Sequence, residues 1–176
     1  MRAMGKLLLL YGTLAAAALA ALAVTGNLDR LAPARGLAGA ADLAVGLGTG
    51  IALAAASRLA LGGERGARFL TEEFRARAGA LSPRQALTAA VLAGVAEELL
   101  FRGVLQPLAG LWVASALFGA VHLGPGWRSL PWAAMAFAAG VVLGGLFEWT
   151  GHLVAPAAAH ATVNYLNLRR FGAGAV

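Results

Sequence analysis

The sequence predicts an all-α protein, a polytopic bundle of about six transmembrane helices. Three observations support this fold class. Apolar residues make up 60% of the 176 residues and charged residues only 12%, against about 25% in soluble proteins. The apolar residues form runs near the roughly 20 residues that a helix needs to cross a bilayer. Most of the arginines lie between these runs.

The first two spans come before a charged stretch. Residues 7–24 follow Arg2 and Lys6, as in a signal peptide. Because further spans follow, we interpret them as an uncleaved helix. The second span, 37–61, ends at two glycines.

Residues 64–84 interrupt the apolar pattern with several charged side chains. A partly apolar face favours an interfacial amphipathic helix at 64–80, and a solvated charged loop is the alternative. "SPRQAL" then predicts a helix start, with Ser82 as N-cap and Pro83 at the first helical position. Four further spans follow, at about 82–106, 108–123, 130–149 and 153–168.

The charge pattern predicts membrane topology. The net charge is +6, which in a soluble protein would suggest nucleic acid binding. Here we expect basic connections on the cytoplasmic side, no nucleic acid partner and both termini in the cytoplasm. The chain is then a single membrane domain, 1–176, in a prokaryotic plasma membrane in contact with lipid. It has no cysteine, which excludes disulfides and thiolate chemistry.

Ionisable and amide side chains inside apolar helices indicate function, because insertion costs about 2.5–3.5 kcal/mol per charged residue. Asp42, Arg58 and Glu148 lie near predicted helix ends, where they can reach the interface. The remaining set is Glu97, Glu98, Arg102, His122, His160 and Asn164.

Helical geometry gives the two adjacent glutamates different surroundings. Glu98 and Arg102 are four residues apart, which allows an ion pair along one face. Glu97 points about 100° away from Glu98 and has no local partner. A buried carboxylate without a partner suits proton transfer, so Glu97 is the candidate general base. The alternative is that both glutamates belong to a structural network.

Two further motifs repeat the four-residue spacing. "HATVN" presents His160 and Asn164 on one face, and "FGAVH" does the same for Phe118 and His122. A carboxylate and an imidazole can activate water, while an imidazole and an amide can donate hydrogen bonds to an oxyanion. Together these groups suit amide hydrolysis.

The three motifs resemble those of the type II CAAX prenyl endopeptidase-like intramembrane proteases, also called the CPBP or Abi family. The family motifs E-E-x-x-x-R, F-x-x-x-H and H-x-x-x-N occur in order as "EELLFR", "FGAVH" and "HATVN". They lie within a predicted catalytic core at 83–168. The chain is short for this family, whose members commonly have about eight helices.

The resemblance implies roles for the motif residues. Glu97 and His122 would activate the attacking water, and His160 and Asn164 would stabilise the oxyanion. Glu98 and Arg102 match positions with less settled roles. The resemblance leaves two possibilities for a cofactor. A glutamate mechanism needs none, whereas Glu97, His122 and His160 could also bind zinc.

The expected function is therefore an intramembrane endopeptidase acting on a peptide or lipidated protein, with a prenylated CAAX-like tail as one substrate class. Two alternatives remain at this level. One is a non-catalytic immunity or scaffold protein of the same fold. The other is a small proton-coupled transporter, which no internal repeat supports.

Overall fold

A computed structural model describes residues 2–31, 37–60, 72, 81–124 and 126–172, which contain helices and turns but no strand. The all-α fold class is therefore confirmed. The α-helices are α1 (Arg2–Val24), α2 (Leu37–Ala60), α3 (Pro83–Glu98), α4 (Gln106–Val121), α5 (Leu130–Thr150) and α6 (Val154–Asn167). Two wider π-helical segments, Leu99–Leu105 and Leu168–Gly172, follow α3 and α6. Short 3-10 turns lie at Leu28–Leu31 and Trp127–Ser129.

Helix α3 begins where the sequence predicts. The Ser82 hydroxyl accepts a hydrogen bond from the Gln85 backbone N–H at 3.3 Å. In return the Gln85 side chain accepts one from the Ser82 N–H at 2.9 Å. This capping box satisfies two backbone donors that an isolated helix end would leave unpaired, and Pro83 occupies the first helical position.

Helices α3 and α4 form a hairpin that reverses near Gly110. Phe101 and Phe118 are 17 residues apart and would lie about 25 Å apart on a straight helix. Their ring centroids are 4.9 Å apart. Gly110 has φ 82° and ψ 164°, outside the helical region and accessible to glycine at little cost. The chain therefore turns back a few residues beyond the predicted boundary at 106–108.

Among the described residues, four helical stretches are long and apolar enough to cross a membrane: Met4–Val24, Gly39–Ala60, Pro83–Val121 and Leu130–Thr150. They indicate an integral membrane protein. The third stretch contains the hairpin, which accounts for two of the predicted spans. Helix α6 corresponds to the predicted sixth span, but its 14 residues are fewer than the roughly 20 that a span needs. The predicted interfacial helix at 64–80 lies outside the described residues apart from Glu72.

Glycines let α6 pack closely between α2 and α3. A Cβ atom at Gly50 would lie 2.5 Å from the Ala159 carbonyl oxygen, and one at Gly94 would lie 2.8 Å from the Ala161 nitrogen. Gly46, one turn before Gly50, meets α6 in the same way at Ala155. Small residues at this spacing allow helix backbones to approach each other in membranes. Since α6 carries His160 and α3 carries Glu97, this packing brings the two motif helices together.

We therefore predict that Gly50→Ala lowers the free energy of unfolding by about 1–3 kcal/mol, because the added methyl overpacks a tight interface. Unfolding of the purified protein in mixed micelles, followed by circular dichroism, would measure the change. Gly48→Ala is the matched control, since Gly48 is exposed on the same helix and a Cβ atom there would have nothing within 4 Å. Equal effects of both substitutions would contradict the prediction.

Candidate active site

Glu98 lies at the centre of a buried cluster of charged side chains. Its side chain is fully buried. One carboxylate oxygen, Oε1, accepts hydrogen bonds from Arg102 Nη1 at 3.1 Å and from His160 Nδ1 at 2.7 Å. The predicted Glu98–Arg102 pair is confirmed. The bond to His160 joins α3 to α6, and helical spacing within one motif could not have predicted it.

Glu97 lies on the other side of the His160 ring. Its Oε2 atom is 3.8 Å from His160 Nε2, beyond hydrogen-bond distance. The same oxygen is buried and has no hydrogen-bond partner among the described residues. The expectation that Glu97 has different surroundings from Glu98 is therefore confirmed. The imidazole of His160 faces one glutamate with each ring nitrogen.

Arg102 connects this cluster to the hairpin and to α5. Its side chain is 1% exposed, and its Nη2 atom donates to the Gly140 carbonyl oxygen at 2.8 Å. The guanidinium carbon lies 4.8 Å from the centroid of the Phe118 ring, within cation–π range. Arg102 is thus held by a carboxylate, a carbonyl and an aromatic face, which together compensate for the burial of its charge.

A widened helical segment carries Arg102. The Gln106 N–H donates to the Phe101 carbonyl oxygen, a bond between residues five apart rather than four. Such π-type turns are rare and often lie at functional sites. No sequence pattern indicated this widening, and the apolar periodicity predicts an ordinary helix throughout the region.

His122 joins the cluster through Phe118. Its Nδ1 atom lies 2.7 Å from the Phe118 carbonyl oxygen. A neutral His122 that donates this bond carries its lone pair on Nε2. The Phe118 ring lies 4.6 Å from the His122 ring and 5.5 Å from the His160 ring, between centroids. Asn164 follows His160 by one turn of α6 and is partly buried.

The structure thus brings four of the six predicted site residues into one cluster: Glu97, Glu98, Arg102 and His160. His122 reaches the cluster through its shared neighbour Phe118. Asn164 lies on the face of α6 that carries His160, as the spacing predicts. What each residue does chemically is a matter for proposal.

A second polar contact lies one turn beyond Arg102. Gln106 is 5% exposed, and its Nε2 atom donates to the Gly144 carbonyl oxygen at 3.1 Å and to Glu148 Oε1 at 3.0 Å. Gln106 was missed at the level of sequence, and Glu148 was treated as a residue near a helix end. The available signal was the spacing of Glu98, Arg102 and Gln106, which places three polar groups on one helical face.

The residues present do not provide a recognisable metal site. Among the described part of the chain, no three histidine, cysteine, aspartate or glutamate side chains are grouped so that they could hold a metal ion. Glu97, His122 and His160, the ligand set considered from the sequence, are therefore not arranged as a zinc site.

Comparison with known proteins gives two matches and one negative result. The model of a family described as "Type II CAAX prenyl endopeptidase Rce1-like" matches residues 79–166. The uncharacterized protein YpbD of Bacillus subtilis (strain 168) is 44% identical over 77 residues, which cover 42% of this chain and 39% of that protein. The chain thus aligns with well under half of this relative's length. No solved structure matches it.

The buried cluster leads to a prediction about stability. Arg102→Met leaves the Glu98 carboxylate buried without its arginine, so we expect the free energy of unfolding to fall by about 3–5 kcal/mol. The double variant Glu98→Gln/Arg102→Met should recover part of this loss, since an amide oxygen still accepts from His160 and no carboxylate remains at that position. The same micelle unfolding measurement applies. A double variant that is no more stable than Arg102→Met alone would contradict the prediction.

Proposed function

The chain belongs to the type II CAAX prenyl endopeptidase Rce1-like family, and we propose that it is an intramembrane endopeptidase with Glu97 as its general base. One observation carries the proposal. Glu97 Oε2 and His160 Nε2 lie 3.8 Å apart inside an apolar bundle, and Glu97 Oε2 has no other partner among the described residues. A water molecule that binds to either atom comes within reach of the other.

The first proposed step is activation of water. Glu97 accepts a proton from the water as its oxygen attacks the carbonyl carbon of the scissile bond. His122 orients the same water through the Nε2 lone pair, and its Nδ1 contact with the Phe118 carbonyl oxygen supports this tautomer. General base catalysis of this kind contributes about 10²–10⁴-fold to a rate.

The second proposed step is stabilisation of the tetrahedral intermediate. His160, in its imidazolium form, donates its Nε2–H to the oxyanion, and the Asn164 amide adds a second hydrogen bond. Glu98 and Arg102 act as positioning residues, because Glu98 holds the other nitrogen of His160 at 2.7 Å. When the intermediate collapses, Glu97 returns its proton to the leaving amine, so the products are a carboxylic acid and an amine.

The proposed substrate is a peptide or a lipidated protein that reaches the site from within the membrane. The family name points to a prenylated CAAX-like tail as one substrate class, and the matched Bacillus subtilis protein is uncharacterized. As a further part of the proposal, both termini lie in the cytoplasm of a prokaryotic cell, as the positions of the basic residues favour.

We predict that Glu97→Gln lowers kcat by about 10²-fold or more while the protein remains folded, because the amide cannot accept the proton. The assay compares cleavage of prenylated and unprenylated peptides by the purified protein in detergent, analysed by mass spectrometry. Asp29→Asn is the control, since it also removes one negative charge, from an exposed turn after α1. Cleavage that survives Glu97→Gln would overturn the mechanism. A folded wild-type protein that cleaves none of the peptides would favour the non-catalytic alternative.

A second prediction concerns metal. Because the described residues provide no three-ligand site, we expect an excess of 1,10-phenanthroline to leave the cleavage rate of the wild-type protein unchanged. The rate should be followed during long incubation so that slow metal loss would be seen. Loss of activity that added zinc restores would show that a metal takes part and would contradict the side-chain mechanism.

A further inference from the structure

Buried polar atoms without partners are concentrated along one side of the hairpin. Proteins rarely bury such atoms unless a protein group or a water molecule satisfies them. The described residues contain five of these side-chain atoms. Four are Glu97 Oε2, Glu98 Oε2, Gln106 Oε1 and Ser115 Oγ, and the fifth, on His152, lies elsewhere.

The four atoms belong to a set of polar side chains that we call the polar seam: Glu97, Glu98, Arg102, Gln106, Ser115 and Glu148. Glu98, Arg102 and Gln106 follow each other at four-residue intervals. Arg102 donates to the carbonyl oxygen of Gly140 and Gln106 to that of Gly144. The seam therefore runs along α5.

Glycines on α5 let the side chains of the hairpin pack directly against its backbone. A Cβ atom at Gly144 would collide with the Leu111 side chain and lie 2.6 Å from Gln106 Oε1, and one at Gly140 would lie 3.2 Å from Ser115 Cβ. These two glycines are one helical turn, about 6 Å, apart. Gln106 Oε1 and the Ser115 side chain thus lie against neighbouring turns of α5. Both residues are buried, with Gln106 5% and Ser115 1% exposed.

The seam reaches the surface at Glu148. This residue lies in the last turn of α5 and is exposed. Its Oε1 accepts a hydrogen bond from Gln106 Nε2 at 3.0 Å. Gln106 thus joins an exposed carboxylate to the seam. Arg102, one turn earlier on the same face, bonds to the buried Glu98 beside His160 and Glu97.

We infer that the polar seam binds water and supplies it to Glu97 from the Glu148 end of α5. This inference rests on the proposed function, because water is the second substrate of a hydrolase and is scarce in an apolar bundle. Gln106 Oε1 accepts a hydrogen bond from the bound water, and the Ser115 hydroxyl donates or accepts one. Their buried oxygen atoms have no partner among the described residues, and a bound water molecule would satisfy them.

The experiment is radiolytic hydroxyl labelling of the purified protein in detergent, in which radicals formed from bound water oxidise the side chains beside it. Phe118 and Phe147 are the reporters. Both are buried, at 3% and 7% exposed. Phe118 borders the seam beside Gly140 and Arg102, whereas Phe147 packs in an apolar cluster with Ala18, Leu22, Leu99 and Leu153.

We expect Phe118 in the wild-type protein to be oxidised several-fold faster than Phe147, despite its lower exposure. Gln106→Leu/Ser115→Ala should bring the Phe118 rate towards that of Phe147 and lower kcat with KM unchanged. Ser115→Ala alone, which removes only an unpartnered hydroxyl, is the milder variant and should give part of this effect. Ser57→Ala is the control, since it removes another buried hydroxyl, one that has a partner in Ala54.

Equal oxidation of Phe118 and Phe147 in the wild type would overturn the inference, and so would a Phe118 rate that the seam variants leave unchanged. Labelling does not depend on catalysis. A labelled seam in a protein that cleaves no peptide would therefore uphold water binding while overturning the proposed protease function. Conversely, an active enzyme whose seam is not labelled would uphold the proposed protease function and overturn water binding.

Discussion

The site depends on the hydrogen bonds that compensate for the burial of the Glu98 carboxylate. An isolated charge in an apolar interior is strongly unfavourable, and the penalty is offset only when partners with good geometry satisfy it. Glu98 has two such partners on one oxygen, Arg102 in its own helical run and His160 on α6. Because removal of either partner would leave charge uncompensated, the carboxylate fixes the position of α6 relative to α3. The imidazole that faces Glu97 is held in place by the same bond.

This network depends in turn on glycine. Arg102 and Gln106 reach the carbonyl oxygens of Gly140 and Gly144 because no side chain stands in the way. Around α6, Gly50 and Gly94 allow the close approach that brings His160 to Glu98. Inside a membrane the hydrophobic effect does not drive helices together, so close packing and interhelical hydrogen bonds supply much of the free energy of association. Glycine allows the close packing directly, and the close packing brings the hydrogen-bonding groups of neighbouring helices within reach of each other.

The sequence predicts this architecture where the information is local and fails where it is not. Apolar runs identify the helices, Ser82 followed by Pro83 identifies the start of α3, and four-residue spacing identifies the Glu98–Arg102 pair. The Glu98–His160 bond joins residues 62 apart, and no periodicity within one helix encodes it. The apolar periodicity indicates neither the widening at Leu99–Leu105 nor the position of the reversal at Gly110. Gln106 was missed because an uncharged amide in an apolar stretch is a weaker signal than a charge.

The two consecutive glutamates illustrate how one helix serves structure and chemistry together. Adjacent residues on a helix point about 100° apart, so Glu97 and Glu98 cannot share the same partners. Glu98 Oε1 accepts hydrogen bonds from two donors, which stabilise its charge. Glu97 Oε2 remains without a hydrogen-bond partner among the described residues and lies 3.8 Å from a ring nitrogen of His160. A reactive carboxylate needs surroundings that hold it in place without satisfying it. Glu98 contributes to these surroundings, because it orients the imidazole that Glu97 faces.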